Sequence, residues 1–176
     1  MELISILTDK DFGLEPQELV EPKLRNASRG IVIREDGKIA IQYKRNKNQY
    51  KLVGGGIEDD EDAKIAFARE VLEETGCEVE IIKELGTLEE YRSQKNFKQI
   101  SFVYVGKVLK DTKILNLTEK EKDEGAELIW ETPENALKLI IDNADKMIAS
   151  KYENVYSSKF VALRDRKILE YYLANK

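Results

Sequence analysis

The stretch GGGIEDDEDAKIAFAREVLEETGC, residues 54–77, decides how this chain is read. Three glycines open it, an acidic run follows, and a helical segment carrying Arg69, Glu70, Glu73 and Glu74 stops at Gly76. Glycines let a backbone turn tightly and approach a ligand closely. Acidic residues at a helix start complement the macrodipole, and Gly76 stands where a C-terminal cap belongs. Glu70, Glu73 and Glu74 fall at i, i+3 and i+4, which puts all three on one helix face within reach of a common point. Like charges so placed repel unless a cation sits between them. Hard divalent ions such as Mg²⁺ or Mn²⁺ prefer all-oxygen ligands of this kind, so the spacing predicts a metal there.

Working outward, Lys44, Arg45, Lys47 and Lys51 precede the glycines, interleaved with Asn46, Asn48 and Tyr50. They read either as a solvated basic connection or as cations of which one or two meet substrate phosphates. Further upstream, RGIVIR and KIAIQYK flank Glu35-Asp36-Gly37, a strong hairpin signal expected at the edge of the core sheet. Residues 1–28, with Pro16 and Pro22, read as a short strand plus an irregular lead-in packed on a domain spanning 29–176. Downstream, Glu78–Tyr91, with its alternation broken at Gly86, and Gln99–Val108 read as strands. A short strand follows at Glu127–Trp130. Helices are predicted over Pro133–Ile141, capped by Thr132, and over roughly Ser158–Ala174.

The 176 residues, 41% hydrophobic and 36% charged, suit one domain with a real core. No apolar run approaches membrane-span length and the N-terminus lacks signal-peptide character, so a cytoplasmic protein with no membrane partner is expected. A single cysteine, Cys77, excludes an internal disulfide and reads as a packed core thiol. No histidine occurs, which removes the commonest general base and leaves carboxylates, lysine or metal-activated water for any hydrolysis. A formal charge of −5 argues against a stable nucleic-acid partner held by bulk electrostatics. Strands on both sides of the central segment, with helices to cover them, suggest a mixed α and β domain.

Read from Gly55, the segment resembles the Nudix box of the MutT-like hydrolases, G-x(5)-E-x(7)-R-E-U-x-E-E-x-G-U, where U is apolar. The matching residues are Gly55, Glu61, Arg69, Glu70, Val71, Glu73, Glu74, Gly76 and Cys77. Two departures are mild: the usual proline before the paired glycines is Val53, and the last apolar position is a cysteine. The resemblance implies an α/β/α sandwich around a mixed β-sheet and hydrolysis of a diphosphate linkage with Mg²⁺, or Mn²⁺, as cofactor.

What the resemblance implies for individual residues follows the box. Glu73 and Glu74 would be the principal metal ligands, and Glu70 a further ligand or a contributor to proton removal. Arg69 would orient the glutamates, with Glu61 as its ion-pair partner. Gly54, Gly55 and Gly56 would bring backbone amides to metal and phosphate, with Lys51 and Arg45 as candidate phosphate contacts. A distal glutamate often joins such sites as ligand or base. Of Glu119, Glu121, Glu124 and Glu127 the expectation favours Glu124, with Glu127 second. The substrate expected is a small nucleotide, foremost a (deoxy)nucleoside triphosphate or oxidised nucleotide cleaved to monophosphate and pyrophosphate. ADP-ribose or a nucleotide sugar is the alternative, capped RNA a distant third, and a non-catalytic nucleotide-binding module the reading from another class. Tyr91, Phe97 or Tyr104 could stack on a base. A homodimer is compatible with the sequence.

Overall fold

Strand β2 (Lys23–Ile33) is the spine of the molecule. Its second half, Ala27–Val32, is buried on both faces, as a central strand clothed by two layers must be. Around it the computed structural model, which describes residues 1–176, builds a seven-stranded mixed sheet. The other strands are β1 (Leu3–Thr8), β3 (Ile39–Lys44), β4 (Gln49–Gly56), β5 (Cys77–Arg92), β6 (Phe97–Asp111) and β7 (Ala126–Glu131). Their order is β1-β5-β6-β2-β4-β3-β7, with β1–β5 and β2–β6 parallel and the other pairs antiparallel. The lead-in, residues 1–28, supplies β1 and the first half of β2.

The hairpin forms but does not lie at the edge. β2 and β3 meet only at Ile33 opposite Ile39, beside the Gly37 turn, and β4 runs between them. Gly30 faces Val53 on one side, and Ile41 faces Leu52 on the other. Both hairpin strands are buried, so their inward amides and carbonyls need partners, and β4 supplies them. The edges are instead β1 and β7.

Helix α1 (Ala63–Thr75) starts where the Asp62 carboxylate accepts from the amides of Lys64 and Ile65, at 2.8 and 2.9 Å. It lays Phe67 and Val71 on Val32, Ala40, Val53 and Tyr104, and Cys77 closes this smaller core. On the opposite face α3 (Pro133–Asn143), with Thr132 as cap and Pro133 in its first turn, and α4 (Val155–Ala174) cover the larger core. Phe160, Ile168 and Leu169 of α4 meet Ile31, Ile41, Leu52 and Val103 there. One further helix, α2 (Glu119–Asp123), lies among the distal glutamates, where the sequence reading places no element; a Thr118–Glu121 capping box starts it and no residue in it is buried. No helix is long and apolar enough to cross a membrane.

Candidate active site

The C-terminal end of β4 is all glycine, so α1 can bring carboxylates against bare backbone. A Cβ at Gly55 would stand 2.3 Å from the Glu70 carboxylate. Glu74, 4% exposed, accepts from the Gly54 amide at 2.8 Å, from Lys51 Nζ at 3.1 Å and from Gln42 Nε2 at 3.2 Å. Arg69 ties the loop to the helix: Nε and Nη2 donate to Glu61 at 3.1 and 2.7 Å, and Nη2 donates to the Gly56 carbonyl at 3.0 Å. Its Nη1 donates to Glu70 at 3.0 Å and Glu73 at 3.2 Å. The Glu61 carboxylate, then Glu70, raise the Arg69 guanidinium above its ordinary value despite partial burial.

The three box carboxylates therefore do not converge on one point as their spacing predicts, and no three acidic side chains stand arranged to share one metal ion. Glu70 and Glu73 share Arg69, while Glu74 turns inward to Lys51 and the backbone. Arg69 and Lys51 are the cations that offset the cluster. Glu70 and Glu74 line a common cavity and Glu73 does not.

A hard cation fits the donors that remain. Burial pushes the Glu74 carboxyl up, and Glu121 and Glu70 add repulsion against the pull of Lys51 and the Gly54 amide. Burial likewise raises Glu70. For both carboxylates burial thus outweighs what Lys51 and Arg69 supply. Gln42 Oε1, buried beside them, has no hydrogen-bond partner. An all-oxygen set with one orphaned acceptor suits Mg²⁺ or Mn²⁺ better than a softer metal.

The distal segment presents Glu121, not Glu124. Glu121 lines the cavity, and the Gln42 amide that donates to Glu74 also reaches it at 3.4 Å. Burial acts to raise its pKa, but the Thr118 amide and hydroxyl, which donate to it at 2.9 Å, help bring it down to about 2. Glu124 is 1% exposed, does not line the cavity, and accepts from Lys44 Nζ at 2.6 Å and the Ser150 hydroxyl at 2.9 Å. Glu127 is spent on Arg45, 2.5 Å away on the surface. Neither Arg45 nor Glu127 lines the cavity. The capping-box spacing Thr118 to Glu121 is the signal that separates these glutamates, because it fixes one of them on a helix start.

The cavity itself, about 240 Å³, is basic. Arg25, Arg29, Lys44, Lys51, Lys120 and Arg164 line it, Val161 is its one apolar residue, and no aromatic ring faces it. Sequence reasoning missed Arg25 and Arg29 of β2, Lys120 of α2 and Arg164 of α4. Arg25, Ala27 and Arg29 alternate along one face of a strand otherwise apolar toward its end, a pattern that period-two reading could have flagged. Of the ring candidates, Tyr91 donates to Glu89 at 2.5 Å and Tyr104 packs on Phe67 in the smaller core. Phe97 lines a neighbouring hollow with Tyr152, about 300 Å³, that shares Lys120 and Glu153 with the cavity.

The NUDIX domain model matches residues 23–151. A MutT-like protein of Streptomyces ambofaciens is 41% identical over 68 residues, 38% of this chain and 44% of that protein. Diphosphoinositol polyphosphate phosphohydrolase 2 of Rattus norvegicus is 32% identical over 106 residues, 60% of this chain and 55% of that protein. The chain spans about half the length of these curated relatives. Among solved structures, a NUDIX hydrolase from Nitrosomonas europaea superposes with a TM-score of 0.62 at 18% identity, covering 88% of this chain and 91% of the other. The MutT protein from Methanosarcina mazei gives 0.55 at 20%, covering 89% and 99%. At these identities the likeness is one of fold, and it is the fold in which a mixed sheet holds the glycine loop against α1. With the family model covering most of the chain and every fixed residue of the box in place on that loop and helix, the chain belongs to the NUDIX family.

Proposed function

We propose that the protein hydrolyses a pyrophosphate bond in a small, densely phosphorylated molecule, with Glu70 and Glu74 holding Mg²⁺ or Mn²⁺ at the cavity and Glu73 joining them on turning away from Arg69. When bound, the metal would neutralise the phosphate oxygens that otherwise repel a nucleophile and would activate water. The chain's own part is positioning. Lys51 lies between Glu74 and the Gly54 carbonyl, where it can both hold that carboxylate and meet a phosphate oxygen. Glu121, ionised at neutral pH, replaces Glu124 as the distal carboxylate that orients the attacking water, and Gln42 keeps it in register with Glu74. Arg69 holds the loop on the helix and does not enter the cavity.

The observation that carries the substrate class is the lining: six cationic side chains, one apolar residue and no ring to stack on a base. A polyphosphorylated polyol carrying a diphosphate fits that chemistry, and relatives named diphosphoinositol polyphosphate phosphohydrolases share about a third of aligned residues with the chain. The nucleoside triphosphate reading survives through one feature, the Phe97–Tyr152 hollow next door, which could take a base while the phosphates reach past Lys120. Turnover of diphosphoinositol polyphosphates, nucleoside triphosphates and ADP-ribose, each with Mg²⁺ and Mn²⁺ and scored by product mass, tests the choice. Preference for the first class is expected. Faster cleavage of the triphosphates would move the assignment to the second reading, and metal-dependent binding without products would leave a binding module.

A further inference from the structure

Arg29 is a guanidinium with nothing to do inside the protein. It is 2% exposed, yet its only hydrogen bond runs from Nε to the Ser101 hydroxyl at 3.2 Å. Its terminal nitrogens make no hydrogen bond to the protein and are open to the cavity, and no carboxylate stands within ion-pair distance, although Asp165 and Glu90 act on it from farther off. Its neighbour Arg164 shows what a satisfied buried arginine looks like here, with Asp165 at 2.7 Å and Glu90 at 3.6 Å. Both arginines line the cavity, but only Arg164 is paired; Arg29 stands on β2 opposite Gly54 of the adjoining strand. Burial, reinforced by Arg164, lowers its pKa to about 9, so the group stays charged at neutral pH at an energetic cost that an anion would relieve. Arg25 stands on the same face of β2, at the exposed mouth, oriented by Gln99 at 2.9 Å.

We propose that Arg29, with Arg25 at its mouth, is a receptor for a phosphate of the substrate that is not cleaved. A planar fork with free terminal nitrogens suits a phosphate dianion. Glu70 and Glu74 line the same cavity, so the reacting diphosphate and the receptor phosphate are held at once. The substrate must then carry a phosphate beyond its scissile pair. This inference rests on the pyrophosphohydrolase reading for its meaning but not for its test.

The test begins with orthophosphate titrated calorimetrically into the metal-free protein. Arg29→Met is expected to weaken that binding at least about tenfold, the scale of a charge-assisted fork, and to keep or raise the melting temperature, since it removes a buried charge that Asp165 and Glu90 offset only in part. Arg29→Lys should recover part of the affinity, as a charge without the fork. In turnover, the ratio of kcat/KM for a substrate with extra phosphates to that for a plain dialkyl diphosphate should fall at least about tenfold in Arg29→Met. Equal orthophosphate affinity in all three proteins, with a melting temperature lost in Arg29→Met and restored in Arg29→Lys, would assign the guanidinium to the fold and overturn the proposal. Because the titration needs no turnover, failure to cleave any diphosphate would remove the enzymatic reading and leave an Arg29-dependent phosphate affinity intact.

Discussion

At the residue scale, Gly55 and Glu70 make a pair whose stability and activity effects can be separated. A methyl at Gly55 would strike only the end of a flexible side chain, so Gly55→Ala is expected to change stability by less than about 1 kcal/mol. It must nonetheless push the Glu70 carboxylate out of place, and kcat should fall at least about tenfold, since small misplacements are costly at a reacting centre. Melting curves beside steady-state rates read both numbers from one variant. Glu74→Gln should lower kcat at least about a hundredfold with the fold intact; near-normal turnover would remove it from the metal set. Glu121→Gln and Glu124→Gln are expected to differ in kind. The first should lose activity far more than stability, since Gln keeps the acceptor of the capping box, whereas the second leaves the Lys44 ammonium buried without its partner and should lose mainly stability.

At the scale of elements, Gly30 marks where two strands can pair only if one of them is bare. A Cβ there would lie 1.9 Å from the Tyr104 carbonyl oxygen, which is backbone and cannot swing away. Gly30→Ala should therefore destabilise by at least about 3 kcal/mol, measured by urea unfolding, because β2 and β6 must shift apart. Six of the seven strands and the three longer helices were legible in the sequence, since alternation, the Asp-Gly turn and the caps at Thr132 and Gly76 are local signals; the residues of β4 read there only as a basic connection into the glycine loop. The position of β4 between the hairpin strands was not, because pairing partners are set by burial across the whole sheet. The same reason hid the site's cations: Arg25 and Arg29 join Lys120 and Arg164 only after three separate elements have assembled. Reading residues 119–127 as irregular favours Glu124 over Glu121, and an irregular segment does not say which way its side chains face.

At the scale of the whole molecule, Lys47 pins distant segments together. It is fully buried, its ammonium lies 2.5 Å from Glu153 and 3.6 Å from Glu124, and its carbonyl accepts from the Ile148 amide at 2.9 Å. Burial acts to raise the Glu153 carboxyl, but the Lys47 ammonium overrides it and brings the pKa from an ordinary 4.5 down to about 2. A carboxyl depressed on folding stabilises above its unfolded value and loses that contribution as the pH falls toward the folded one. Stability should thus decline between roughly pH 4.5 and 2, by about 3 kcal/mol from this group. Urea midpoints across that window, in the wild type and in Glu153→Gln, should show the acid slope flattened in the variant. A different consequence attaches to α2, which carries Lys120 and Glu121 to the cavity wall with no buried residue of its own. So short a segment, anchored by little beyond its cap, should trade its amide protons for deuterium long before α1 does, and slow down once a polyanion bridges Lys120 to the opposite wall; the wall would then owe its order to the cargo it receives.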